Sequence, residues 1–312
     1  MQFAKMTPIP IGFSGSKKFC AETFDDTKVF LRIGNAKSYS KKWLEHYILK
    51  QIRHMIGDIC AAPIALELSP NEKEYFSTET WIEGDSLGYP FLPIPLSKMN
   101  NQEQRELGIR IAKILKKLHN MTFRMPANSP ESSSPADIFR IYAQETERQY
   151  KALEFSVCDA EILLSNIKHL CLIEDSQPCL THGDLSTANI IWDGKDLRFC
   201  DWENVGLDHP WRDFTSMLYF KHRGTCSYVY GCINEYFNNN LPPEFWKVTL
   251  MYISIVAVRA FCNNFIYPSL ARFKGYGLQA ISEIVSLSNE IENYGSPSWW
   301  NNQLLLSKNE QD

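Results

Sequence analysis

The stretch from Leu180 to Asp213, LTHGDLSTANIIWDGKDLRFCDWENVGLDHPWRD, constrains this 312-residue chain more than any other. At its core is His182-Gly183-Asp184, with Asn189 five residues after the aspartate and Asp201 twelve after the asparagine. Two short apolar runs, Asn189 to Trp192 and Leu197 to Cys200, flank Asp193-Gly194-Lys195-Asp196. An Asp-Gly pair between β-prone runs is a strong hairpin signal, so the spacing predicts strand, turn, strand. Such a hairpin brings Asn189, at the start of one strand, close to Asp201, at the end of the other. An asparagine and a carboxylate side by side make a hard oxygen site of the kind Mg²⁺ prefers, leaving the rest of its shell to water and phosphate. Asp184, in the loop just before, is then expected to face the metal-bound phosphates.

This order of residues resembles the catalytic loop and metal-binding aspartate of the protein-kinase-like phosphotransferases. It is more similar still to the aminoglycoside phosphotransferase and choline kinase superfamily. Protein kinases carry H-R-D-x-K-x-x-N and then D-F-G. This chain has Gly183 for the arginine, Ser186 for the lysine and Asp201-Trp202-Glu203 for D-F-G, and its Gly206 to Asp213 resembles the G-x-x-x-P-x-x-D segment of the small-molecule branch. The resemblance implies an α+β, two-lobed protein-kinase-like fold. Residues 1–84 would form a small antiparallel-sheet lobe that holds nucleotide, and residues 85–312 a larger, mainly helical lobe for catalysis and acceptor binding.

Composition fits this. The net charge of -4 lacks the basic footprint that non-specific nucleic-acid binding needs. The N-terminus has no long apolar run of the signal-peptide kind. The most hydrophobic stretch, Val248 to Phe261, is interrupted by Arg259 and reads as a buried helix rather than a membrane span. Nine cysteines, scattered singly, suit reduced thiols in a cytoplasmic protein. Pro126 to Pro135 is low in complexity and reads as an exposed linker or flap.

In the first lobe, Pro8 to Thr23 reads as strand, turn and strand. Gly12 and Gly15 lie in the turn, where backbone N–H groups can approach phosphate oxygens. Lys28 to Gly34 is an alternating strand with Lys28, Phe30 and Arg32 on one face. Kinases place a lysine here, paired to a glutamate of the next helix. Arg32 resembles the arginine of the V-L-R-I strand in choline-kinase-like relatives, and a guanidinium forks well onto phosphate oxygens. Tyr39 to Met55 is spaced as a helix with Trp43, Tyr47, Ile48 and Ile52 in its apolar stripe and Ser40 able to cap it. Glu45 is the expected partner of Arg32, with Glu22 and Glu67 as rivals. Strands follow at Ala65 to Leu68 and Tyr75 to Ile82. The family's hinge is expected at Thr80, Trp81 and Ile82, whose backbone would bind the adenine or guanine of ATP or GTP.

The second lobe reads as helices over 102–120, 138–155, 160–172, 213–237, 244–266 and 278–294, with residues 307–312 as a frayed tail. His119 is expected to satisfy backbone carbonyls at a helix end. In relatives the acceptor sits between the late helices and the catalytic loop, where this chain offers Glu203, Asp208 and Glu235 with Trp211, Tyr219, Tyr267, Trp299 and Trp300. Aromatic faces with carboxylates would suit an ammonium, although core packing produces the same composition. Trp299 and Trp300 equally read as a docking patch for the tail.

The resemblance therefore implies an ATP- or GTP-dependent kinase acting on a hydroxyl of a small cationic acceptor, an aminoglycoside or another antibiotic. Choline, ethanolamine or thiamine is the alternative, and a catalytically inactive nucleotide-binding relative is the alternative of another class. Asp184 would orient the acceptor and take its proton, Asn189 and Asp201 would bind Mg²⁺, and Arg32 and the Gly12 to Gly15 turn would hold phosphates. No nucleic-acid or membrane partner is expected, and the sequence leaves the oligomeric state open.

Overall fold

The computed structural model describes residues 2–9, 15–88, 95–123, 125–126, 134–153, 155–219, 225–267, 270–271 and 274–309. The chain divides into two compact units, one of Met1–Leu87 with Ala188–Val205 and one of Gly88–Thr187 with Gly206–Asp312. The expected division at residue 84 assigned the Asn189–Asp201 hairpin to the second lobe, and the structure gives it to the first unit.

In the first unit, strands β1 (Lys5–Pro8), β2 (Lys17–Glu22), β3 (Lys28–Asn35), β4 (Pro63–Leu68) and β5 (Glu74–Thr80) form an antiparallel sheet in the order β1-β2-β3-β5-β4. Alternation along β3 sends Val29 and Leu31 into a core with Ala21, against Phe3, Phe19, Ile33 and Phe76. Burying each aliphatic side chain contributes roughly 1.5–3 kcal/mol. The strand expected to reach Ile82 stops at Thr80. There the Thr80 N–H donates to Ala62 O (2.9 Å) and its hydroxyl accepts from Ala62 N–H (2.8 Å).

Helix α1 (Tyr39–Met55) follows β3 over the predicted residues. Its buried face carries Ile48, Leu49 and Ile52 but also Lys42, Glu45 and His46. Trp43, expected in the apolar stripe, is 48% exposed and stacks on Tyr47 at 5.8 Å. Nor does Ser40 cap the helix. A short 3-10 turn, Ala36–Ser38, precedes α1, and the Asn35 side chain accepts from Lys37 N–H at its start.

Strands β6 (Asp85–Ser86), β8 (Ile190–Trp192) and β9 (Leu197–Phe199) make a second sheet of the same unit. The Asp193–Asp196 turn makes the predicted hairpin, with Ile190 opposite Phe199. The Phe199 N–H donates to Ile59 O at 2.7 Å, which ties the hairpin to the N-terminal segment. Gly84 is obligatory at this join: its φ is +122°, and a Cβ there would lie 2.6 Å from Trp192 O.

The second unit is mainly helical. Helix α2 (Asn101–His119) starts with a reciprocal cap, Asn100 Oδ1 accepting from Glu103 N–H and Glu103 Oε2 from Asn100 N–H. Helix α3 (Pro135–Lys151) begins three residues earlier than predicted because Ser134 caps it and Pro135 suits the first turn. Helix α4 (Cys158–Ser165) runs into a 3-10 stretch, Asn166–Ile173. Strand β7 (Cys179–Thr181) pairs antiparallel with β10 (Gly206–Asp208).

Later come α5 (Thr215–Tyr219), α6 (Cys226–Tyr236), α7 (Phe245–Ile266), α8 (Lys274–Tyr294) and α9 (Ser298–Asn309). The single helix expected over 213–237 is therefore interrupted, and α9 was not foreseen. By length and composition α7 could cross a membrane, but 78% of its most apolar window is buried in the protein, as expected for a core helix. Its Val248, Met251, Tyr252 and Ile255 pack against Ala136, Phe139 and Ala143 of α3. Helices α2 and α6 cross at glycines: a Cβ on Gly108 would meet Tyr228 O at 2.1 Å, and one on Gly231 would meet Arg105 O at 2.4 Å.

Candidate active site

The His-Gly-Asp loop leaves β7 in the second unit and is held by a carboxylate. Asp213 accepts the His182 N–H at 2.9 Å on Oδ2 and the Gly183 N–H at 2.7 Å on Oδ1. Gly183 has φ of +80°, a left-handed conformation that a glycine takes at little cost. Asp213 is fully buried, which alone would raise its pKa. The hydrogen bond to His119 and that from the Gly183 N–H outweigh burial and hold the carboxyl below the usual carboxylate range.

His119 does not cap helix carbonyls as expected. Its Nε2 lies 3.0 Å from Asp213 Oδ2 and its Nδ1 2.8 Å from the Tyr236 hydroxyl. The end of α2 thus braces the loop through a further contact to the same carboxylate. Asp184 donates its N–H to His182 Nδ1 (3.3 Å) and accepts the Ser216 hydroxyl on Oδ1 at 2.8 Å. Ser216, on α5, was missed because nothing local in the sequence ties it to an aspartate 32 residues earlier.

The first unit carries a cluster of charges. Arg32 is 3% exposed, and its Nη2 meets Asp201 Oδ1 at 2.7 Å. Its Nη1 contacts Glu203, and its Nε is buried without a hydrogen-bond partner among the described residues. Lys18, opposite Arg32 in the β2–β3 register, reaches Asp201 Oδ2 at 3.2 Å. Burial pushes the Asp201 carboxyl up, but Arg32 and Lys18 more than reverse this and bring it down to about 2. Asp201 sits at φ 59°, ψ 56°, a left-handed backbone that costs a non-glycine residue roughly 1–2 kcal/mol. Asn189 O accepts the Cys200 N–H at 2.9 Å, so the hairpin pairing runs on to Asn189 and leaves it at the same end as Asp201.

Glu45 does not pair with Arg32. It accepts from Lys42 Nζ at 2.7 Å, and the same ammonium meets Glu79 Oε1 at 2.7 Å. Lys42 lies one turn before Glu45 on the buried face of α1, whereas the Arg32 guanidinium is drawn to Asp201 and Glu203. His46 Nε2 joins the network 2.8 Å from Ser77 Oγ. Burial opposes charge on Lys42 and Glu79, yet their attraction raises the lysine's pKa and lowers the glutamate's. Of the rivals, Glu22 lies 3.5 Å from Lys5.

The remaining nucleotide candidates are placed unevenly. Thr80 ends β5 with its N–H already donated to Ala62, while Trp81 and Ile82 follow in irregular backbone. Gly12 lies outside the described residues. Gly15 is exposed, with nothing near the position of a Cβ, so space does not require glycine there. An ionised carboxylate and an amide at one end of a hairpin are a donor set that fits Mg²⁺. A buried guanidinium with an unpartnered Nε beside them fits phosphate oxygens.

The expected acceptor residues are largely committed to internal contacts. Trp211 packs edge-on against Phe237 (5.8 Å) and Phe245 (5.4 Å), and Trp300 lies 4.9 Å from the Tyr230 ring. Trp299 and Trp300 both pack on Trp246. Asp208 is 2% exposed, 2.6 Å from Arg212 and 2.8 Å from the Tyr252 hydroxyl. Glu235 lies 3.8 Å from Lys116, and Glu203 belongs to the Arg32 cluster.

No curated protein matches the chain by sequence. Among solved structures it is similar to APH(2")-IIia in its GDP and kanamycin complex, at 12% identity and a TM-score of 0.72, over 92% of this chain and 94% of that one. ADP-bound aminoglycoside phosphotransferase APH(2'')-Ib is similar at 13% identity and a TM-score of 0.60, over 96% and 95%. A thermostable mutant of aminoglycoside phosphotransferase APH(4)-Ia, in ternary complex with ADP and hygromycin B, is similar at 11% identity and 0.65, over 91% and 94%. These likenesses establish the protein-kinase-like α+β fold. The sequence profile of the phosphotransferase enzyme family matches residues 5–245, most of the chain, and the protein therefore belongs to that family of phosphotransferase enzymes.

Proposed function

We propose that the protein transfers the γ-phosphoryl group of ATP or GTP to a hydroxyl of a small molecule. The observation that carries this is Asp201. An ionised carboxylate on strained backbone at the end of a hairpin shared with Asn189, bonded to a buried arginine, is a costly arrangement with an evident use in holding a metal-bound triphosphate. Asn189 and Asp201 would hold Mg²⁺, which supplies charge neutralisation for the phosphates. Arg32 would donate to phosphate oxygens through Nη2 and the unpartnered Nε. Lys18 would stand beside it on the same sheet face.

Asp184 would accept the acceptor's hydroxyl proton as the new O–P bond forms and the bond to the β-phosphate oxygen breaks, releasing the nucleoside diphosphate. The structural relatives in complex with GDP or ADP support the donor class. Nine free thiols support the cytoplasmic reading. A hydroxyl-rich acceptor is supported by the kanamycin and hygromycin B complexes of those relatives. A cationic one, aminoglycoside or choline, draws no support from Asp208, Trp211 or Trp300, which are engaged internally.

The test is ADP or GDP release with Mg²⁺ and an acceptor panel, together with Asp184→Asn. Turnover should fall by a factor on the order of 10²–10⁴ in that variant, with nucleotide affinity kept. A protein that binds no Mg-nucleotide, or an Asp184→Asn variant of near-normal rate, would overturn the assignment. Nucleotide binding without any turnover would favour the inactive-relative reading.

A further inference from the structure

Helices α3 and α7 lie side by side in the second unit, joined by Phe139 against Tyr252 at 4.9 Å. One turn further along α3 and two along α7, the Arg259 guanidinium lies over the Tyr142 ring, 4.4 Å from its centroid. Arg259 stands on a helix whose neighbouring Val258, Phe261 and Cys262 are buried, and is itself half-buried. Among the described residues it has no carboxylate at ion-pair distance. Glu145, whose charge reaches it, is taken by two 2.8 Å bonds from Arg148. A half-buried, unpaired guanidinium costs stability unless something compensates it.

Asp184 is bonded to Ser216 of α5, and α5 packs on α7, the helix that carries Arg259. Burial first, and then the negative charge of Asp184, push the Tyr142 hydroxyl up, while Arg259 and Arg212 pull it down. Arg212 is paired with Asp208, 2.6 Å away, whereas Arg259 is hydrogen-bonded to the Tyr142 hydroxyl and has no carboxylate at ion-pair distance among the described residues. A fixed positive charge here disfavours a polycation and favours a carboxylate or phosphate, which a guanidinium binds through two parallel bonds.

We propose that Arg259, set on the Tyr142 ring, forms an anion subsite, so that the acceptor is a hydroxylated compound bearing a carboxylate or phosphate group. This rests on the phosphotransferase reading of Asp184. The subsite accounts for both an arginine without an ion pair in a core helix and the internal engagement of Asp208, Trp211 and Trp300. Tyr142 holds the guanidinium plane, and Glu145 is kept from it by Arg148.

The test compares ADP release with Mg-ATP over gluconate, glycerate, glucose 6-phosphate, glycerol 3-phosphate, kanamycin and choline, in the unaltered protein and in Arg259→Gln. Turnover of a hydroxylated anion is expected. In Arg259→Gln its KM should rise ten-fold or more, the effect falling on KM rather than kcat. The carboxylates and the phosphates among the six separate the two anion types. Preferred turnover of kanamycin or choline, or an unchanged KM for the anion in Arg259→Gln, would overturn the subsite and leave the phosphotransferase reading standing. Should none of the six release ADP, calorimetric titration of the four anions into protein loaded with a non-hydrolysable Mg-ATP analogue decides. Binding that weakens in Arg259→Gln supports the subsite, and no binding overturns it. Failure to bind the Mg-nucleotide removes the functional reading as well.

Discussion

Ser216 donates its hydroxyl proton to Oδ1 of Asp184 across 2.8 Å. The carboxylate proposed to meet the acceptor is thus held by a side chain on another element, which restricts its rotamer. Ser216→Ala should lower kcat about ten-fold, in line with the loss of one hydrogen bond to a charged group, while the KM for nucleotide stays put. Ser216→Thr, which keeps the hydroxyl, should recover most of the rate. Steady-state kinetics of both variants check this, and a matching fall in melting temperature would make the serine structural instead.

Arg32 serves Asp201 and, as proposed, phosphate. Arg32→Ala should therefore weaken ATP far more than adenosine, and Arg32→Lys should restore only part of the difference because a lysine lacks the fork. Titration calorimetry with both ligands, with and without Mg²⁺, measures it. Equal loss for the two would take the residue away from the phosphates.

Lys42 is the sole ammonium bonded to both Glu45 and Glu79 among the described residues. Removing it strands two buried carboxylates, so Lys42→Met should cost on the order of 3–5 kcal/mol. The triple change Lys42→Met with Glu45→Gln and Glu79→Gln should recover much of that. Chemical denaturation of the two proteins tests the pair, and a single variant as stable as the parent would refute the coupling.

His209 is buried, and desolvation first, then the positive charge of His119, push its imidazole down to about 4. The folded state therefore keeps it neutral where the unfolded chain protonates it. The stability this gives is fully present above pH 6.5, the ordinary value, and is lost as pH falls toward 4, in total on the order of 3 kcal/mol. Its Nδ1 accepts the Trp211 N–H at 3.2 Å, a role an asparagine can take over. His209→Asn should flatten the decline in melting temperature between pH 6.5 and 4, and an unchanged slope would assign that decline to other groups.

What could be read in the sequence was what lies close along it. The Asn189–Asp201 hairpin, the strand bearing Arg32 and the helix over Tyr39–Met55 each declare themselves within one element by turn chemistry or period. Contacts between distant elements could not be read. Nothing local says that Lys42 would take Glu45 away from Arg32, that Lys18 would join Asp201, or that His119 would reach Asp213 rather than its own helix end. Composition could not separate an aromatic receptor from an aromatic core, and Trp211 and Trp300 turned out to belong to the core. Arg259 was noticed only as an interruption in an apolar run, because its meaning depends on which ring and which carboxylates stand beside it.

The first unit is written in two pieces, Met1–Leu87 and Ala188–Val205, which bears on how the protein is made. No contiguous stretch of the gene encodes this unit alone, since a product ending near residue 87 lacks β8 and β9 and with them Asn189 and Asp201. On the ribosome the early strands emerge long before the hairpin that completes their unit. At 5–20 residues per second the wait is roughly 6–24 seconds. Through that interval β6 has no partner strand and Arg32 has no Asp201, so the nascent chain carries the arginine's charge without its counterion until the later segment is made.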